Sequence, residues 1–185
     1  MRNLLIVLSG PSGVGKGTIV KQLMSRGRYC LSISCTTRSP RVGEEDGRDY
    51  FFITTEKFLK MIDEGGFLEY SNHFGNYYGT PKAFVESRLL SHDVILEIEV
   101  DGALKVKAAH PEALLIMILP PDKERLRARL KGRGAESDEK IEERISRMDY
   151  EVSRSGEYDY TVINDDLTAA VSEIENIIKS KKEQI

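Results

Sequence analysis

The stretch from Leu4 to Thr18 constrains this chain most. An unbroken apolar run, Leu4-Leu5-Ile6-Val7-Leu8, stops at Ser9 and opens into Gly10-Pro11-Ser12-Gly13-Val14-Gly15-Lys16-Gly17-Thr18. Such a run fits a strand covered on both faces. The glycines let the backbone curl so that successive N–H groups point inward at phosphate oxygens. The helix that follows adds the partial positive charge of its N-terminus, and Lys16 adds a full one. The pattern is G-x-x-x-x-G-K, with Gly17 where a Ser or Thr normally follows. Thr18 stands one place later, so its hydroxyl or a water must serve where that side chain would meet Mg²⁺. A plain connecting turn explains Gly10 and Gly13, but not three glycines, a lysine and a threonine in register between strand and helix.

Strand-like and helix-like segments alternate along the rest of the chain. A helix is expected from Lys16 to about Arg26, closed by Gly27, and strands at Leu31 to Cys35 and Tyr50 to Ile53. Thr36 to Asp49, rich in charge and carrying Pro40, Gly43 and Gly47, reads as an ordered loop. A helix starting at Thr54 ends before Gly65; Phe67 to His73 is strand-like and Pro81 to Leu90 helical. Val94 to Val100 is read as one strand carrying Glu97 and Glu99 on the same side, and Leu114 to Leu119 as another, stopped by Pro120. Ser137 is placed to cap a helix with apolar steps at Ile141, Ile145, Met148 and Val152; Leu167, Val171, Ile174 and Ile178 repeat the spacing after a short strand, Tyr160 to Asn164. Strands separated by helix-length segments predict right-handed crossovers and a mostly parallel sheet, hence an α/β fold.

The 185 residues amount to one domain with room for inserts. A net charge of −3 argues against a dedicated nucleic-acid binder. The longest apolar run, Ala113 to Leu119, has seven residues, too few to span a bilayer, and Leu4 to Leu8 is too short for a signal peptide core. Cys30 and Cys35 have neither disulfide-framework nor zinc spacing, which fits a reducing cytoplasm. The three histidines, His73, His92 and His110, show no ligand spacing.

A second cluster, Ser34-Cys35-Thr36-Thr37-Arg38-Ser39-Pro40-Arg41 followed by Tyr50, suits another phosphate, because a guanidinium fork matches phosphate oxygens. Charge alone would leave this a solvated loop. Glu69 and Gly75-Asn76-Tyr77-Tyr78-Gly79-Thr80 change its meaning. With GPSGVGKGT, SCTTRSPR, GRDYFF, FLEY, GNYYGTP, LEIEVDG and VINDDL in this order, the whole chain resembles the guanylate kinase family, enzymes that phosphorylate GMP with ATP.

The resemblance implies a three-layer P-loop kinase fold. Its core would lie at about 1–33, 82–125 and 149–185, with a GMP-binding insert at 34–81 and a mobile lid at 126–148. It implies that Gly10, Pro11, Ser12, Gly13, Val14, Gly15, Lys16, Gly17 and Thr18 hold ATP, with Arg129 and Arg133. Ser34, Arg38, Arg41, Tyr50, Glu69, Tyr78, Thr80 and Glu99 would hold GMP, with dGMP as a further acceptor. Lys16, Arg38, Arg133 and Arg144 would stabilise the transferring phosphoryl group, and Mg²⁺ would be met by Thr18 and Glu99 through water. The partners are then ATP and GMP, with no nucleic acid and no membrane; oligomeric state leaves no mark in the sequence.

Some roles rest on the residues themselves. Guanine presents two adjacent donors that one carboxylate accepts together, whereas adenine presents an acceptor there. Taken alone, Glu69 reads as a surface strand carboxylate, and the resemblance reverses that. Glu99, and less so Glu97, sits where acids at a strand's carboxyl end approach a metal, salt bridging to Lys105 being the plainer role. Most arginines from Arg125 to Arg147 read as a solvated helix face beside Glu139, Glu142 and Glu143, while the glycines around Arg133 mark a hinge. Tyr77 and Tyr78 must point opposite ways, so at most one faces the site; the resemblance implies that it is Tyr78, with Tyr77 left to packing. The rival readings are a monophosphate kinase for another base and a guanylate-kinase-like module that binds protein without catalysis.

Overall fold

Strand β1 (Leu5–Ser9) is buried along its whole length, and its side chains divide the molecule. Leu4, Ile6 and Leu8 point into one apolar cluster; Leu5 and Val7 point into another on the opposite face. Covering a large apolar side chain fully contributes about 1.5–3 kcal/mol, so β1 alone ties two layers of helix to the sheet.

The computed structural model describes residues 2–73, 75–132 and 138–184. After β1 come α1 (Lys16–Met24), β2 (Tyr29–Leu31), β3 (Cys35–Thr36), β4 (Phe51–Phe52), α2 (Thr55–Asp63), β5 (Phe67–His73), β6 (Asn76–Pro81) and α3 (Lys82–Leu89). Then follow β7 (Asp93–Glu97), α4 (Val100–Ala109), β8 (Leu114–Leu119), α5 (Lys123–Gly132), α6 (Asp138–Ser153), β9 (Tyr160–Ile163) and α7 (Leu167–Glu183). The central sheet runs β2-β7-β1-β8-β9 with every pair parallel. Helices α1 and α7 cover one face through Ile19, Leu23, Val171, Ile174 and Ile178. Helices α3 and α4 cover the other through Val85, Val100, Ala103 and Val106. The fold is α/β with a parallel central sheet. No helix among the described residues is long and apolar enough to cross a membrane.

A second sheet, β4-β3-β6-β5, forms the insert. Its core is aromatic: Phe58 of α2 is fully buried and stacks on Phe67 at 4.4 Å and Tyr77 at 5.3 Å. Thr54 caps α2 by accepting the Lys57 N–H at 3.2 Å, worth about 1 kcal/mol. Helices α5 and α6 share a small cluster of their own, in which Leu126 and Leu130 meet Ile141, Ile145 and Met148.

Two expected strands are corrected. Leu31 to Cys35 is not one strand: Leu31 pairs with Ile95 in the central sheet, and Cys35 pairs with Gly79 and Phe51 in the insert. The chain changes sheets between them. Val94 to Val100 also divides, because β7 ends at Glu97 and the Glu99 carbonyl already accepts the Ala103 N–H at 2.9 Å. Glu99 therefore stands at the N-cap of α4, not on a strand with Glu97. The expected cap at Ser137 and the expected site residue Arg133 lie outside the described residues.

Candidate active site

The loop after β1 is shaped by contacts that only glycine permits. Gly10 has φ 136°, and a Cβ there would lie 2.1 Å from the Ile118 carbonyl oxygen. Gly15, φ 101°, turns the chain into α1, where its own Cβ would meet the Asn164 amide at 2.5 Å. Lys16 donates to the Gly10 carbonyl at 2.6 Å and the Pro11 carbonyl at 3.1 Å, so its ammonium lies folded along the loop. Asn164, buried at the end of β9, donates to the Val14 carbonyl at 2.8 Å. Arg129 donates to the same carbonyl at 3.3 Å and to the Asn164 carbonyl at 2.8 Å, which anchors α5 to the loop. From α6, Arg144 donates to the Ser12 hydroxyl.

The insert gathers a second cationic centre. Arg38 donates through both terminal nitrogens to Glu44, each at 3.0 Å, and lies 5.5 Å from the Tyr50 ring centre and 5.9 Å from that of Phe52. Its hydrogen bond to Glu44 raises its already high pKa, and the Tyr78 hydroxyl is also bonded to it. Tyr50 and Tyr78 meet edge to face at 6.0 Å, and burial raises the Tyr50 hydroxyl. Tyr77 turns the other way, onto Phe58. Arg41 is exposed, its backbone N–H given to Glu44 at 2.7 Å. Ser34 lies on the crossing between the sheets, where its carbonyl accepts the Phe51 N–H at 2.9 Å.

Glu69 and Thr80 form a buried pair. The Thr80 hydroxyl donates to Glu69 Oε1 at 2.6 Å, and burial pushes the Glu69 carboxyl up despite that bond. Gly102 of α4 lies against the other oxygen; a Cβ there would be 2.9 Å from Oε2. An anionic acceptor held by a hydroxyl on one side and backbone on the other reads neighbouring donors with little freedom to adapt.

Between the two centres lies the β7–α4 junction. The Glu97 carboxylate sits by α1, with oxygens 3.7 and 3.8 Å from where a Gly17 Cβ would stand. It is exposed to solvent, yet the protein crowding it strips hydration and pushes its carboxyl up, with Lys16 opposing. Glu99 accepts from Arg147 of α6 at 2.7 Å. Arg147 also reaches Glu151, at 3.4 Å, whose carboxyl is raised by burial against the pull of Lys16 and Arg147. Lys105 reaches the Tyr70 carbonyl at 3.1 Å. Thr18 is exposed.

Neither Glu44, Gly102 nor Glu151 stands out in the sequence, and Asn164 carries no role there. Arg147, within the stretch expected mostly to be a solvated helix face, instead reaches Glu99 and Glu151. An asparagine closing a short strand was a signal for Asn164; an acid in a loop full of charge gave none for Glu44.

A family model described as "Guanylate kinase" matches residues 2–181. The chain is 51% identical to the guanylate kinase of Caldanaerobacter subterraneus over 98% of this chain and 89% of the relative. It is 48% identical to that of Prochlorococcus marinus over 97% and 100%. Among solved structures, guanylate kinase from Anaplasma phagocytophilum superposes with a TM-score of 0.75 at 29% identity, covering 97% of this chain and 86% of that one.

Proposed function

The chain belongs to the guanylate kinase family, and we propose from the site that it transfers the γ-phosphoryl group of ATP to GMP, with dGMP as a further acceptor, giving ADP and the diphosphate. The observation that carries the base assignment is the buried Glu69–Thr80 pair. Its carboxylate accepts the two donors of guanine's pairing edge, and adenine would bring an acceptor against it. A site whose buried polar group is left unpaired by the wrong substrate rejects it by as much as ~10⁴-fold.

On this reading the loop amides, Lys16 and the N-terminus of α1 hold the ATP phosphates. Lys16 leaves the Gly10 and Pro11 carbonyls to do so. Arg38, Arg41, Tyr50 and Tyr78 hold the GMP phosphate, with Ser34, Thr80 and Glu99 towards the base. The two clusters set the acceptor oxygen in line with the γ-phosphorus, and catalysis is positioning plus neutralisation of spreading charge, with no covalent intermediate. Arg129 fixes the loop's shape, while Arg144, with Arg133 by family likeness, brings positive charge over the donor phosphates. Residues 126–148 act as the lid that excludes water, and 34–81 as the GMP-binding insert.

The residues at the junction fit Mg²⁺. That ion takes one or two carboxylates together with substrate phosphates and keeps several waters. Glu97 and Glu99 offer such oxygens, and Gly17 leaves space beside Glu97 for a water shell. Thr18, exposed one residue on, would act only through water. When bound, Mg²⁺ supplies charge neutralisation on the β- and γ-phosphates. The same reading puts the reaction in the cytoplasm.

The test is ADP release with ATP and Mg²⁺ on either GMP or AMP, for wild type and Glu69→Gln. Turnover with GMP alone, cut at least ~10²-fold in the variant, is expected. Turnover with AMP would discard the guanine reading, and a folded protein inert with both would favour a binding module.

A further inference from the structure

Glu44 lies in the charged loop of the insert, and none of the roles above uses it. Its carboxylate makes three bonds. Oε1 accepts from Arg38 Nη2 at 3.0 Å; Oε2 accepts from Arg38 Nη1 at 3.0 Å and from the Arg41 backbone N–H at 2.7 Å. Its own N–H donates to the Arg41 carbonyl at 3.0 Å, closing a turn across Gly43, φ 88°. One carboxylate thus ties together both arginines of the acceptor-phosphate centre.

The donors of Arg38 can be followed individually. A guanidinium carries five N–H groups in a rigid plane. Nη1 gives one hydrogen to Glu44 and the other to the Ser39 carbonyl at 2.7 Å; Nη2 gives one to Glu44. Those bonds leave the edge formed by Nε–H and the second Nη2 hydrogen, while the Tyr78 hydroxyl bonds the same guanidinium. Tyr50 and Phe52 flank the arginine. The plane is therefore set before any phosphate arrives, and its remaining edge, which the Tyr78 hydroxyl shares, is the one a phosphate would take over. Arg38 in turn holds the Glu44 carboxyl below the ordinary carboxylate range, so the clamp stays ionised near neutrality.

We propose that Glu44 is a positioning residue for the acceptor phosphate: it grips the outer edge of Arg38 and the backbone of Arg41, and so presents the Nε edge of Arg38 to the GMP phosphate. The inference rests on the proposed function and deepens it. An opposing effect exists, because a carboxylate near a phosphate repels it, and removing that charge makes the site more cationic. The two effects have opposite signs. Glu44→Gln keeps the shape, removes the charge and sets an amide N–H₂ against one of the arginine donors. If orientation dominates, acceptor binding weakens; if repulsion dominates, it tightens.

The experiment measures GMP and guanosine affinities by equilibrium titration, together with kinetics, for wild type, Glu44→Gln and Glu44→Ala, each checked for an unchanged melting curve. Expected for both variants are a KM and Kd for GMP raised about tenfold, the loss of one oriented two-pronged contact, with the KM for ATP within about twofold. Guanosine, which lacks the phosphate, should bind all three proteins alike. A GMP affinity that is unchanged or tighter in Glu44→Gln overturns the proposal. So does an equal loss for guanosine and GMP, which would make Glu44 a support of the insert as a whole. Failure of the wild type to phosphorylate GMP would instead strike the proposed function, and the titrations would still decide whether Glu44 orients a phosphate-binding arginine.

Discussion

Gly102 offers a test of how tightly Glu69, the carboxylate proposed to read the base, is held. It sits in the first turn of α4 with ordinary helical φ, so alanine there should favour the helix by about 1 kcal/mol. The added Cβ would stand 2.9 Å from Glu69 Oε2, 3.3 Å from Cδ and 3.5 Å from Cγ. Ordinary contact begins near 3.4 Å, so the carboxylate must retreat by about half an ångström. A carboxylate on a flexible exposed stem would do so cheaply. This one is 7% exposed and held at its other oxygen by Thr80 at 2.6 Å, so retreat loosens that bond or rotates both oxygens off the guanine donors.

Misplacing a positioning group by about 1 Å costs on the order of 10²-fold, so half of that predicts roughly a tenfold fall in kcat/KM for GMP. The assay varies GMP at saturating ATP, then ATP at saturating GMP, and records thermal unfolding beside it. The expected Gly102→Ala protein melts no lower than wild type, keeps its KM for ATP and raises its KM for GMP. A KM for GMP within twofold of wild type would refute the reasoning, since either the helix gives way or Glu69 does not read the base.

Acidification should act on the same carboxylate. Because burial raises the folded-state value of Glu69 above the ordinary 4.5, the ionised acceptor is lost at a higher pH than for an exposed glutamate. The KM for GMP should therefore climb as pH falls through that raised value, and a Glu69→Gln profile should lack the inflection. For stability the sign is opposite to that of a salt-bridged acid: between 4.5 and the raised value the native state holds a proton that the unfolded chain has released. Stability from this group then declines as pH rises across the window, and urea titrations of wild type and Glu69→Gln should diverge there. In the phosphate loop, Gly10→Ala places a methyl 2.1 Å from a backbone oxygen at φ 136°. The cost should be at least about 3 kcal/mol, or roughly 6–12 °C in Tm, and calorimetry showing a smaller drop would contradict the geometry.

The fold was legible where periodicity and burial coincide. Ile141, Ile145 and Met148 step along α6 and do face Leu126 and Leu130; Val171, Ile174 and Ile178 do face the central sheet. The first strand, glycine-rich turn and helix were legible because the glycines, lysine and flanking strand are contiguous. What escaped was set by distant partners. Leu31 and Cys35 look like one alternating strand, but Ile95 claims the first residue and Gly79 the second. Glu99 looked like the end of a strand until Ala103 took its carbonyl. Glu44 stands in a run of acids, and its hold on two arginines follows from a turn geometry that the residue types do not announce.

On the proposed function, the β7–α4 junction is where donor and acceptor chemistry would meet. β1 and β7 are parallel neighbours with Leu8 opposite Glu97, so both strands end at the same level and both chains turn into helices there. The turn after β1 gives the phosphate loop; two residues past the end of β7, the chain is already at the start of α4. Glu97 consequently lies beside Gly17 of α1, while Glu99 meets Arg147 of α6, and Gly102, one turn on, backs Glu69 of the insert. Core, insert and the α5–α6 pair thus touch a six-residue stretch whose height is set by sheet register. A one-residue slip of β7 would swing Glu97 to the opposite face and break all three contacts together. Both faces of β7 are apolar, so the register is held at its other end, where buried Asp93 accepts the Leu4 N–H at 2.8 Å and the Lys182 ammonium at 2.8 and 2.9 Å. A slip would break those bonds, and the residue that locks the sheet's register therefore also sets the height of this stretch.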